Sequence, residues 1–102
     1  MDKRTYLTIL YDYYGSLFNE HKRLYFEDYY FNNLSLSEMA ENYNVSRSSI
    51  HKLIKSIEDK LNEYEDKLKL YEQHIKLLKL IKKIDNENIA KELIKIFDIN
   101  ID

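Results

Sequence analysis

His21, His51 and His74 are the side chains best suited to proton transfer or metal binding, and their placement supports neither. Metal-binding histidines recur at short offsets beside carboxylates, as in H-E-x-x-H on one helix face. These three are scattered along 102 residues. There is no cysteine, so thiolate metal sites and disulfides are excluded. Phosphate-cradling loops and nucleophile elbows need two or more glycines, and Gly15 is the only one. Most Asp and Glu residues stand three or four positions from a lysine, the spacing of helix-surface ion pairs. No cofactor is implied, and the chain is expected to be non-enzymatic. What remains is the chemistry of contact, carried by cations and hydrogen-bond donors that the fold must present.

The segment that could present them is 35–57. Ser35 and Glu38 form an S-x-x-E capping box at a helix start. Ser46 can cap a second helix eleven residues later, so the first helix has about two turns. Asn44 falls at the turn, where its tolerance of the left-handed conformation is useful. Met39, Ala40, Tyr43, Val45, Ile50, Leu53 and Ile54 make one apolar seam, with Ala40 expected to be buried against the second helix. This is the pattern of a helix-turn-helix, whose second helix faces a nucleic-acid groove. An ordinary αα-hairpin with no reading function is the competing account.

The rest of the chain is helical in character. It has no proline and one glycine, so helix breakers are almost absent. Helices are expected near 4–14, ended or bent by Gly15 and Ser16, and near 20–31, capped by Asn19. With 36–43 and the helix from 47 these make a trihelical unit. No apolar run is long enough to span a membrane, and the N-terminus lacks a signal-peptide core, so a cytoplasmic chain is expected. The net charge of −2 leaves nucleic-acid contact to a local patch. Abundant Lys, Ile, Asn and Tyr suggest a low-GC bacterial genome.

Beyond 47 an apolar seam continues through Ile50, Ile54, Ile57, Leu61, Tyr64, Leu68, Tyr71, Ile75 and Leu78. Its 3.5-residue period marks a coiled-coil seam and predicts one helix from 47 to about 82, with any break falling between Asn62 and Lys69. Asp85 and Asn86 can cap a last helix at 87–97, leaving Asp98–Asp102 as a frayed tail. Lys67, Lys69, Lys76, Lys79, Lys82 and Lys83 face only Glu72 in this region, which reads as a solvated helix face. Residues 1–59 are thus expected to form the helix-turn-helix domain and 60–102 a helical extension. From Leu61 on, the seam needs a partner, so a homodimer through 60–97 is expected.

The segment Leu34-Ser35-Leu36-Ser37-Glu38-Met39-Ala40-Glu41 followed by Val45-Ser46-Arg47-Ser48-Ser49-Ile50 resembles the helix-turn-helix of sigma factor region four. With Tyr11-Asp12-Tyr13-Tyr14-Gly15-Ser16-Leu17 upstream and 60–68 downstream, nearly the whole chain resembles the small bacterial YlxM-like proteins. That resemblance implies an all-α, sigma-region-four-like trihelical domain with a long helical C-terminal extension. It also implies a gene beside those of the signal recognition particle and a role in that pathway. By the same match the DNA-facing positions are Arg47, Ser48, Ser49, His51, Lys52 and Lys55. Residues 36–60 hold four basic side chains (Arg47, Lys52, Lys55, Lys60) against four acidic (Glu38, Glu41, Glu58, Asp59). The expectation is therefore a regulatory protein that contacts DNA weakly. The alternative is an interaction module docking a protein or RNA component of the signal recognition particle system.

Overall fold

A computed structural model describes residues 1–99. Among them are six α-helices and no strand: α1 (Lys3–Tyr14), α2 (Glu20–Tyr30), α3 (Leu36–Tyr43), α4 (Arg47–Leu68), α5 (Leu70–Ile81) and α6 (Glu87–Phe97). The protein is all-α, as the shortage of helix breakers implies. Every described helix start except that of α5 carries a side-chain cap. Asp2 accepts the Thr5 amide at 2.7 Å and Asn19 the Lys22 amide at 2.9 Å. Asn86 accepts from the amides of Asn88 and Ile89. Gly15 begins a 3-10 turn, Gly15–Leu17, that ends α1. Its φ of −56° is ordinary, so space is the reason for glycine: an added Cβ would stand 3.1 Å from the Tyr11 ring.

The chain divides into two compact units, Met1–Leu68 and Lys69–Asp102. In the first, α4 packs on α1, α2 and α3. Its core is Leu7, Leu10, Tyr14, Phe26, Met39, Ile50, Ile57 and Leu61, with a stack of Tyr11, Phe26 and Tyr30 rings 4.2 and 4.4 Å apart. Glu58 and Glu65 are buried in this interface. Burying a carboxylate is costly unless it is hydrogen-bonded. Here the Tyr30 hydroxyl donates to Glu58, and the Tyr14 hydroxyl to Glu65 at 2.6 Å. Arg4 closes the other end of α2, donating to the carbonyls of Tyr29 and Tyr30 at 2.8 and 3.2 Å.

Three expectations need correction. First, the helix from 47 does not run to 82. It stops at Leu68, and Lys69 turns in the left-handed conformation (φ 55°) before α5. Glu65 is the last α4 side chain that the first unit's core covers, and Leu68 is already exposed. With nothing left to hold a straight seam, the chain turns, and α5 packs on α6 as a helical hairpin. Second, Leu61 needs no partner, because its own core buries it completely. Third, Ala40 is half-buried and Val45 exposed, while the fully buried Met39 takes the inner place on α3.

In the second unit Ile81 is buried and Tyr71, Leu77 and Leu78 are half-buried, whereas Ile75 is exposed. Asn86 caps α6 as its position implies. Asp98 closes α6 in the left-handed conformation and Ile99 is buried, so those two residues are not frayed. The remainder of the expected tail, 100–102, lies outside the described residues. Among the described residues no helix is long and apolar enough to cross a membrane.

Candidate nucleic-acid interface

The turn between α3 and α4 is built by reciprocal caps. The Glu38 amide donates to Ser35 Oγ and the Ser35 amide to Glu38 Oε1, both at 3.0 Å. This completes the capping box and holds the Glu38 carboxyl below its ordinary range, chiefly through the Ser35 amide. At the other end Asn44 adopts φ 55°, ψ 46°. The Asn44 amide donates to the Glu41 carbonyl and the Val45 amide to the Ala40 carbonyl. That pair of bonds is a Schellman closure, with asparagine where glycine is commonest. Ser46 follows at once and accepts the Ser49 amide at 3.1 Å. The connection is thus as short as two caps allow, and α4 starts at a defined angle to α3.

All six expected contact residues lie in the first three turns of α4, and all are exposed. Ser48, Lys52 and Lys55, followed by Asp59, advance by four, three and four. They share the side opposite buried Ile50, Ile54, Ile57 and Leu61. Arg47 and His51 flank that strip on one side, and Ser49 on the other. The side chains of Arg47, His51 and Lys52 make no hydrogen bond or ion pair with any described residue.

The other three are engaged. Ser46 Oγ stands 3.3 Å from Ser48 Oγ and 2.7 Å from Ser49 Oγ, so both hydroxyls turn toward the cap. Lys55 pairs with Asp59 at 3.0 Å, and that bond holds its ammonium above the usual lysine range. The arrangement offers two unpaired cations, an imidazole and, at a small cost in rearrangement, two hydroxyls. Such groups bind phosphate oxygens and base edges.

Sequence reasoning missed Asp59 as the acidic end of this strip. Its signal was available: aspartate four residues after Lys55 is an ion-pair spacing. Among the described residues no group of three His, Asp or Glu side chains stands together as a metal site.

The chain matches, over residues 1–99, the family described as "UPF0122: Putative helix-turn-helix protein, YlxM / p13 like". It is 38% identical over 89 residues to the UPF0122 protein of Malacoplasma penetrans, a match covering 87% of this chain and 83% of that one. It is 40% identical over 83 residues to the UPF0122 protein of Caldanaerobacter subterraneus subsp. tengcongensis, covering 81% and 71%. The UPF0122 protein of Mycoplasma pneumoniae is 38% identical over 87 residues, 85% of each chain.

Proposed function

The chain belongs to the UPF0122 family of YlxM- and p13-like helix-turn-helix proteins, and from that premise we propose a non-enzymatic regulatory protein that contacts duplex DNA through α4. One observation carries this reading: the outward start of α4 presents Arg47, His51 and Lys52 with no protein partner. Arg47 stands at the helix start, where side chains of a recognition helix approach base edges. Lys52 and Lys55 face phosphates, with Lys55 exchanging Asp59 for the DNA. Contacts this few give weak, salt-sensitive binding. Titration of a labelled random-sequence duplex tests the reading. The triple variant Arg47→Ala, Lys52→Ala, Lys55→Ala should lose binding while keeping its melting temperature. Equal binding by that variant would remove α4 from the interface.

A second reading draws on α6. Its apolar side, Ile89, Ala90, Leu93, Ile94 and Phe97, contains no buried residue, and Ile96 is 71% exposed. We propose that a second copy of the chain covers it, forming a homodimer through the α5–α6 hairpin. The alternative occupant is a protein or RNA component of the signal recognition particle system, which co-purification with and without nuclease would reveal.

A further inference from the structure

We propose that the cleft between the start of α2 and the middle of α4 is a second phosphate site, which seats the DNA backbone beside the outward face of α4. The cleft has a volume of about 510 Å³. Lys22, Asn19, Ser56 and Lys60 line it together with the rings of Phe18 and Tyr64. No carboxylate lines it, and of its two ammonium groups that of Lys60 has an ion-pair partner, Glu63, outside the lining. Serine, asparagine and lysine are the side chains that commonly bind phosphodiester oxygens. Lys22 forms no ion pair with any described residue.

Lys60 stands 3.3 Å from Glu63 and 5.2 Å from the centre of the Tyr64 ring. Glu63 is also held by Lys67 at 2.9 Å. A phosphate can therefore take Lys60 without leaving Glu63 unpaired. The cleft is also continuous with the proposed reading face. Lys52, Ser56 and Lys60 are successive i, i+4 neighbours on α4, so Lys52 and Lys60 are separated by about 12 Å along the axis. That is roughly the width of the B-DNA major groove. A phosphate backbone followed along α4 from Lys52 would meet Ser56 and then Lys60 at the cleft.

This inference rests on the proposed DNA reading, and its test separates the two. The first arm titrates inorganic phosphate into the isotopically labelled full chain, at constant ionic strength. Amide resonances of Asn19, Lys22, Ser56 and Lys60 should shift, and should not shift in Lys22→Ala, Lys60→Ala. Shifts scattered over surface lysines, or none in the cleft, overturn the site. The second arm measures affinity for a short random-sequence duplex against salt. Losing two phosphate contacts should flatten the log–log slope by about 1.8, and Lys22→Arg, Lys60→Arg should restore it. A wild-type slope in the alanine variant overturns the cleft and leaves the α4 reading standing. Cleft shifts with phosphate but no duplex binding by the wild-type chain overturn the DNA reading and, with it, the backbone assignment of the cleft.

Discussion

Tyr11 and Tyr43 carry a clear pH signature. The Tyr11 hydroxyl donates to Glu27 at 2.8 Å and the Tyr43 hydroxyl to Asp28. Burial first, and then the carboxylate partner, push each phenol up from 10 to about 12. A folded-state value above the unfolded one gives stability that is complete below pH 10 and lost as pH rises toward 12. The melting temperature should therefore fall between pH 10 and 12. Tyr11→Phe, Tyr43→Phe should fall less steeply across the same window, and parallel curves would count against these bonds. Gly15 gives a second prediction at this scale. The Tyr11 ring over it is stacked on Phe26 at 4.2 Å and bonded to Glu27, so it cannot yield. Overpacking costs roughly 1–3 kcal/mol, against about 0.4–1 kcal/mol gained from a stiffer unfolded chain. Gly15→Ala should thus lower stability, measurable by denaturant titration. The caps Asn19, Ser35, Ser46 and Asn86 were legible in the sequence because their acceptors and amides lie within three residues. The tyrosine–carboxylate pairs were not, since Tyr14 and Glu65 meet across 51 residues.

At the scale of elements, the helix-turn-helix was readable for the same reason: capping box, left-handed asparagine and second cap are all local. Which side chain of α3 points inward was less so. On an eight-residue helix, Met39 and Ala40 differ by one position, and tertiary packing chose Met39. Met39→Ala should cost roughly 2–5 kcal/mol as a cavity in a core that cannot fully collapse. Ala40→Leu should cost less than Met39→Ala, because Ala40 keeps partial access to solvent. Chemical denaturation of the two variants checks the order, and the reverse order would mean that α3 is rotated. The break at Lys69 was hidden for a different reason. The apolar period runs through it unchanged, and no glycine or proline marks it. Periodicity records which face is apolar and not whether anything covers it. Coverage ends after Glu65, and the helix ends within one turn of it, at Leu68.

For the whole molecule, two units of different character share one chain. The first packs a buried core around α4 and still exposes Leu17, Leu24 and Phe31 by about half, while the second buries, among the described residues, only Ile81 and Ile99 and leaves Leu80, Ile96 and Phe97 at 60%, 71% and 46% exposure. If a second copy covers that hairpin, light scattering at micromolar concentration should give twice the chain mass, and Ile96→Glu, Phe97→Glu should halve it. A monomer mass for the unaltered chain would remove the dimer. The proposed contact residues on α4 were legible only through resemblance and position on a helix, since a net charge of −2 announces no nucleic-acid binder. Their common exposure is a property of the fold, but what they touch is a property of a partner. Selection from a random duplex library by the full chain tests whether α4 reads DNA. The wild-type chain should enrich a defined short site, and Arg47→Ala, Lys52→Ala should enrich none while melting at the same temperature. No enrichment by the wild-type chain, or the same site enriched by that variant, would contradict that reading.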